Sequence, residues 1–120
     1  MRGLVVQAWA VQPDPEFLTA ALQQIRTICT AFPNTSEKLS HGHPTFFFKN
    51  RSFAVYGIYS PSIAFKPPVS AALELATDER FFPTPYMAQN GWWSLRLTPE
   101  VDWDEVTALL EGSYRRACQR

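Results

Sequence analysis

The chain has 120 residues, 46% of them hydrophobic and 14% aromatic, which suffices for one domain with a buried core. Eleven basic residues balance eleven acidic ones. This neutrality excludes a protein that attracts nucleic acid, membranes or acidic partners through a large net charge. It remains compatible with a local basic face.

The start of the chain and its cysteines indicate a cytoplasmic protein. The apolar start is interrupted at Gln7 and is too short for a signal peptide, and no apolar run approaches the ~18–20 residues of a membrane span. Cys29 and Cys118 lack CxxC spacing, so we expect reduced, buried or half-buried thiols rather than a disulfide. We expect one domain over residues 1–120 with no membrane partner, in which residues 1–12 form a loose extension.

The predicted elements run helix, strands, short helix, strands and helix. The first helix covers residues 14–32, because Asp14 and Pro15 are typical of a helix start, apolar residues recur at helical spacing, and Pro33 follows. A short helix is predicted over residues 69–77 after two prolines. Strands are predicted over residues 37–40, 44–49, 52–59, 63–66 and 92–97.

Two turns set the expected strand pairing. Asn50-Arg51 joins two strands, with Asn50 in the left-handed conformation, and Asn90-Gly91 is the strongest hairpin signal in the chain. Side chains alternate between the two faces of a strand. On the strand after Asn90-Gly91, the core side carries Trp93, Leu95 and Leu97, and the other side carries Trp92, Ser94 and Arg96. This second side is either an open binding surface or covered like the first, and the sequence leaves both alternatives open.

The last helix is predicted over residues 102–118. Asp102 is its N-cap, and Glu105 occupies the capping-box position three residues later. Acidic residues crowd its start and arginines its end, as the helix dipole favours. We interpret Arg115 and Arg116 in this way rather than as a nucleic-acid patch. Its apolar stripe predicts that Trp103 belongs to the core.

His41 and His43 are the nearest approach to a metal motif. On a strand, residues i and i+2 share a face, so the two rings can ligate one divalent ion. A third ligand is not evident from the sequence, and a histidine before Pro44 has a restricted backbone that suits a hydrogen-bonded corner. We therefore expect no metal and no other cofactor.

No catalytic constellation is evident. The serines lack a nucleophile elbow, the five glycines are scattered rather than grouped in a phosphate loop, and the acidic residues lie mostly at helix starts or beside turns. We expect a protein that is not an enzyme.

Two blocks about forty residues apart, together with the segments around them, resemble the MmcQ/YjbR family of small bacterial proteins. The similarity covers roughly residues 15–118. Its motifs are Gly42-His43-Pro44-Thr45-Phe46, Phe53-Ala54, Lys66, Pro83-Thr84-Pro85-Tyr86-Met87, Gly91-Trp92, Asp102-Trp103-Asp104-Glu105 and Ser113-Tyr114.

The resemblance implies a two-layer α+β domain, in which an antiparallel sheet is packed by the N- and C-terminal helices in an arrangement described for the family as a double wing. It also implies weak or regulatory DNA binding, the family's proposed role. The stretch where many relatives carry Lys or Arg is here Ala88-Gln89-Asn90, which predicts weak, salt-sensitive binding. The alternative is a protein-interaction or small-ligand adaptor that uses an aromatic corner of His43, Tyr86 and Trp92.

The candidate binding residues are therefore cations and aromatics: His43, Lys49, Arg51, Lys66, Tyr86, Trp92 and Arg96. An aromatic beside an arginine suits base stacking as well as protein interfaces. The positions of the cations discriminate between the two functions. If Lys49, Arg51, Lys66, Arg80 and Arg96 converge, the DNA hypothesis gains; if they scatter, the adaptor gains. The oligomeric state does not follow from the sequence.

Overall fold

A computed structural model describes residues 15–57 and 61–119. The three helices are α1 (Pro15–Thr30), α2 (Ala72–Ala76, preceded by a 3-10 turn at Val69–Ala71) and α3 (Trp103–Gln119). The six strands are β1 (Thr35–Ser40), β2 (His43–Phe48), β3 (Arg51–Tyr56), β4 (Ser62–Phe65), β5 (Phe81–Pro83) and β6 (Trp93–Arg96). Residues 1–12 and the predicted cap Asp14 lie outside the described residues.

The strands form one antiparallel sheet in the order β1-β2-β3-β4-β6-β5. Helices α1 and α3 pack on one face and supply Ile25, Ile28, Val106 and Leu110 to the main core. The predicted two-layer α+β architecture, with an antiparallel sheet packed by the N- and C-terminal helices, is confirmed. Burying such side chains contributes about 1.5–3 kcal/mol each.

Helix α1 ends at Thr30 rather than at the predicted residue 32. The Thr35 hydroxyl donates to the carbonyl oxygens of Cys29 and Phe32, at 3.1 Å in both cases. This side chain satisfies backbone acceptors that a helix end leaves unpaired. The helix therefore ends before Pro33, and β1 begins after it at Thr35.

The β2–β3 turn differs from the prediction by one residue. The left-handed residue is Lys49, with φ 56°, and not Asn50. Beyond the turn, Phe46 pairs with Ala54 whereas the next residue, Phe47, pairs with Ser52. Phe53 therefore has no partner on β2, which defines a β-bulge.

The bulge sends two consecutive side chains toward the helices. Phe53 and Ala54 are both fully buried in the main core. Simple alternation instead predicts that consecutive residues face opposite sides. Phe53 meets the rings of Phe32 and Tyr114 edge-on, with ring centroids at 6.1 and 5.4 Å.

The second face of the sheet carries a smaller buried cluster. Val55, Ala64 and Trp92 form it, and Met87 packs against them. Trp92 lies on the face that the sequence predicted, yet only 5% of it is exposed. Of the two alternatives for this face, the covered one therefore holds at Trp92. Ser94 on the same face is buried as well, whereas Arg96 is exposed.

The predicted hairpin at Asn90-Gly91 is a longer connection. Strands β5 and β6 do pair, but residues 84–92 lie between them and contain a 3-10 turn at Ala88–Asn90. Gly91, with φ 90°, ends that turn and leads the chain into β6. We call residues 84–92 the Tyr86 loop.

Helix α3 begins close to the predicted position. Asp102 Oδ1 accepts hydrogen bonds from the backbone N–H groups of Asp104 and Glu105, which is an N-cap. The Glu105 carboxylate binds Arg80 instead of reaching back to the start of its own helix. Trp103 is half-buried at the edge of the core rather than within it.

Both cysteines are free thiols in the structure. Cys29 is buried as predicted, and burial raises the pKa of its thiol well above the ordinary value. Cys118 is exposed, contrary to the expectation of a buried or half-buried thiol. In residues 15–57 and 61–119, no helix is both long and apolar enough to cross a membrane.

Candidate functional site: a cationic end of the sheet

Five cations gather where β2 and β4 end, β3 begins and α3 approaches its C-terminus. We call this group the cationic end. The register places the start of β3 beside the end of β2, and the end of β4 next to it. Its members are Lys49, Arg51, Lys66, Arg115 and Arg116.

A buried serine fastens α3 to the sheet beneath the cationic end. Ser113 Oγ donates to the carbonyl oxygen of Phe53 at 2.7 Å and accepts from the backbone N–H of Lys66 at 2.9 Å. Ser113 is fully buried. The carbonyl that it binds belongs to the bulged residue, which lacks a partner on β2. One hydroxyl thus joins the helix to both β3 and the end of β4.

Two arginines extend this attachment. Arg116 Nε donates to the Lys66 carbonyl oxygen at 2.7 Å, and Arg51 Nη1 donates to the Ala117 carbonyl oxygen at 3.2 Å. Partial burial lowers the pKa of the Arg116 guanidinium, a group that stays cationic in proteins. Arg51 and Arg116 therefore have structural contacts in addition to their charge.

The remaining three cations differ in their exposure and contacts. Lys49 is exposed in the β2–β3 turn, with Nζ 5.3 Å from the centroid of the Phe48 ring. Lys66 is half-buried, and Arg115 is exposed and paired with Glu111 at 2.6 Å across one helical turn. An exposed pair of this kind is worth little and dissociates easily in favour of another anion.

Arg80 and Arg96 lie at the opposite end of the sheet. The Arg96 backbone N–H donates to the Arg80 carbonyl oxygen at 2.9 Å, which places the two residues together. Arg96 also donates to the Glu79 carbonyl oxygen and lies 4.7 Å from the Phe82 ring centroid. Of the five cations expected to discriminate between functions, Lys49, Arg51 and Lys66 lie at one end of the sheet and these two at the other.

Carboxylates neutralise Arg80. It forms ion pairs with Asp78 at 2.8 Å and Glu105 at 2.7 Å. The hydrogen bond from Arg80 lowers the pKa of the Asp78 carboxyl, and the two carboxylates raise the pKa of Arg80. Glu79 adjoins Arg80 in the chain, and Asp102 and Asp104 lie beside Glu105 at the start of α3, so this end of the sheet is acidic.

The aromatic corner of His43, Tyr86 and Trp92 does not form. Thr45, Val55, Ala64 and Ser94 lie in one row across the sheet. His43 precedes Thr45 and lies toward the acidic end, while Trp92 precedes Ser94 on a strand of opposite direction and lies toward the cationic end. Three strand spacings, about 14 Å, also separate the two strands. The sequence correctly associated Tyr86 with Trp92 but not with His43.

The two histidines do not share a strand face. His41 lies in the β1–β2 turn with φ 53°, and only His43 belongs to β2. The Nδ1 atom of His41 is 3.3 Å from the Ser40 hydroxyl. In the part of the chain that the structure describes, no three ligating side chains gather around a point that suits a metal ion. The expectation of a metal-free protein stays a prediction.

A groove of about 470 Å³ separates the α2 segment from α3. Phe65, Leu75, Phe81 and Leu109 supply apolar walls, and Arg116 lies at its rim. The Arg80 ion pairs also line the groove. Its volume falls in the range of small-molecule sites.

Sequence reasoning missed the part that three residues of α3 play in this region. It assigned Arg115 and Arg116 to the helix dipole alone, although the strand ends bring three further cations to them. It noted Ser113 only as part of a motif, and a buried serine within an apolar helical stripe is the signal that identifies a tertiary hydrogen bond.

Comparison with known proteins supports the fold assignment. The family model described as YjbR matches residues 30–116. The crystal structure of the Deinococcus radiodurans protein DR2400, which carries a DUF419 domain, superposes with a TM-score of 0.68 at 21% identity over 82% of this chain and 79% of that one. At this identity the likeness concerns the fold. No curated protein matches the chain.

Proposed function

The chain belongs to the YjbR family, and we propose that it is a binding module whose cationic end takes nucleic acid weakly, through phosphate contacts. The observation that carries the proposal is that Lys49, Arg51 and Lys66 lie at the same end of the sheet as two arginines of α3. In the last turns of α3, as far as the structure describes them, Glu111 is the one acidic residue, and it pairs with Arg115. A chain with zero net charge thus presents a local excess of positive charge.

The expected affinity follows from the number of available cations. Arg51 and Arg116 already bind backbone carbonyls, which leaves Lys49, Lys66 and Arg115 for phosphates. About three phosphate contacts give a slope of log affinity on log salt of roughly −2 to −3. Non-specific dissociation constants then lie at about 10⁻⁴ to 10⁻⁶ M at physiological salt.

Two double variants with equal loss of charge test the proposal. Lys49→Ala/Lys66→Ala removes cations from the cationic end, and Lys38→Ala/Arg96→Ala removes the same charge elsewhere on the sheet. Fluorescence anisotropy with labelled duplex DNA is measured at about 50 and 200 mM salt. The first variant should flatten the salt slope by nearly 2, and the second should retain it. No binding by the unaltered protein at low salt, or equal losses in both variants, rejects the proposal.

Small-ligand binding is the second candidate function, and the groove beside α2 favours it. Arg116 at the groove rim has no carboxylate within ion-pairing distance among residues 15–57 and 61–119. Its guanidinium matches a carboxylate, and the apolar walls match an attached aryl or alkyl group. The occupant that fits is therefore a small amphipathic carboxylate.

Gly112 provides a sharp test of this second candidate. A Cβ at Gly112 would lie 2.8 Å from Arg116 Nη2, so Gly112→Ala displaces the guanidinium without removing its charge. Ligand-observed NMR should show that phenylpropionate binds the unaltered protein and does not bind the Gly112→Ala variant. Phenylpropanol, which lacks the carboxylate, should bind neither protein. Equal signals for the acid and the alcohol contradict the role of Arg116.

A further inference from the structure

Tyr86 is the most exposed large aromatic side chain in the described part of the chain, with 94% of its surface accessible. It also adopts a left-handed backbone, with φ 66°. The Met87 N–H donates to the Thr84 carbonyl oxygen at 3.1 Å. Residues 84–87 therefore form a hydrogen-bonded β-turn, with Pro85 at its second position and Tyr86 at its third.

Glycine is the residue that this turn position favours. A turn with proline at the second position and a positive φ at the third is type II, and a side chain at that third position is strained. Tyrosine gains nothing in return from burial, because its ring lies in water. A bulky residue that is both strained and exposed indicates selection for contact with a partner.

The turn is held rigidly from beneath. The Thr84 N–H donates to the Trp92 carbonyl oxygen, and the Trp92 N–H donates to the Met87 carbonyl oxygen. The buried Trp92 ring and Met87 fill the space below the turn. The hydroxyl groups of Thr84 and Ser94 hydrogen-bond in this interior at 2.8 Å. Trp92 thus supports the turn from the interior, and Tyr86 presents its ring to solvent.

The surroundings of Tyr86 suit a nucleotide better than a protein surface. Gln89 and Asn90 expose amides on the same loop, and amides can donate to and accept from the edges of bases. The Lys66 side chain runs along the loop, since its Cε lies 3.7 Å from the Cβ position of Gly91. A protein hot spot instead lies within an apolar patch that excludes water.

We propose that Tyr86 is a base-stacking platform, and that the partner of the cationic end is single-stranded nucleic acid. This inference rests on the proposed function and adds the form of the ligand. A base of a duplex is already stacked between its neighbours, whereas an unpaired base can lie flat on the tyrosine ring. Lys66 connects the loop to the phosphate-binding cations, because its backbone is fastened to Ser113 and Arg116.

The test compares Tyr86→Gly with Tyr86→Phe in the full chain. Glycine relieves the strained backbone, so this variant should melt at the same temperature as the unaltered protein or higher. Its affinity for a labelled oligothymidine of about 12 nucleotides should fall about tenfold, while its affinity for duplex DNA should stay within about twofold. Phenylalanine retains the ring and should retain both affinities.

The outcomes separate this inference from the proposed function. If duplex and single strand both bind and Tyr86→Gly weakens neither, the stacking role is refuted while phosphate binding stands. If neither DNA binds at low salt, both proposals fail. Tyr86-dependent self-association in sedimentation velocity, without an effect on the single strand, would assign the ring to a protein interface and overturn the inference.

Discussion

Replacing Ser113 with alanine should destabilise the protein far more than the loss of one hydroxyl suggests. The substitution removes the acceptor of the Lys66 N–H and the donor to the Phe53 carbonyl oxygen, at 2.9 and 2.7 Å. Water does not reach this position, because Ser113 and Phe53 are both fully buried. The variant therefore leaves two backbone groups without their partner.

The magnitude follows from these two groups. A buried polar group left unsatisfied costs about 1–3 kcal/mol. Lys66 is half-buried, so the cost for its N–H lies near the lower limit of this range. The Phe53 carbonyl is fully buried, so its cost lies near the upper limit. The higher helix propensity of alanine offsets about 0.5 kcal/mol of this loss of stability. The free energy of unfolding should fall by about 2–3.5 kcal/mol.

Urea denaturation followed by tryptophan fluorescence measures this change. With a slope of roughly 1–3 kcal/mol per molar urea, the midpoint should move by at least about 0.7 M. Thr107→Ala is the matched control on the same helix, because its hydroxyl bonds only the carbonyl of Trp103 one turn earlier. A loss below about 0.5 kcal/mol for Ser113→Ala, or equal losses in the two variants, would refute the reasoning.

The remaining predictions concern two tryptophans, one thiol and the histidines. Trp92→Ala should cost about 3–5 kcal/mol and the half-buried Trp103→Ala about 1–2 kcal/mol, so thermal melts that rank them in reverse contradict the assigned burial. Burial raises the pKa of Cys29, so the folded state favours the neutral thiol. The stability that this thiol contributes is fully present below the unfolded-state pKa of about 8.5, and above that pH the free energy of unfolding falls by up to about 1.4 kcal/mol per pH unit. Urea denaturation at a series of pH values above about 8.5 should show this fall in the free energy of unfolding. The Cys29→Ala variant should lack the fall, and the Cys118→Ala variant should keep it. Elemental analysis should find no stoichiometric metal, and His41→Ala should melt like the unaltered protein, since His41 is exposed in a turn; zinc or nickel lost in a His41/His43 double variant would contradict this.

The helices and most strands were predictable because their signals are local. The apolar stripe of α1 and the Asp102 cap of α3 depend on residues within one or two turns. The ends of elements were less predictable: α1 ends two residues early, where the Thr35 hydroxyl binds its last carbonyl groups. The position of the left-handed residue, Lys49 rather than Asn50, depends on pairing that residue preferences alone do not determine.

The candidate site was only partly predictable because it is assembled from distant segments. The sequence identified Lys49, Arg51 and Lys66 as cations, but their convergence with α3 depends on strand order and register. Alternation assigned Trp92 to the correct face and could not show that the Tyr86 loop folds back and covers it. The exposed aromatic of this loop is therefore Tyr86, which the sequence had proposed only as part of a larger corner.

The bulge at Phe53 has a consequence for how this fold can vary between relatives. If Phe53 were deleted, Ser52 and Ala54 would still face Phe47 and Phe46 in regular pairing, so the strand itself does not require the extra residue. The helix layer requires it, because the core would lose a ring and Ser113 would lose its acceptor. A single-residue gap here is therefore neutral for the sheet and severe for the interior. In alignments of the family we expect length changes to accumulate in the turns and to avoid this position.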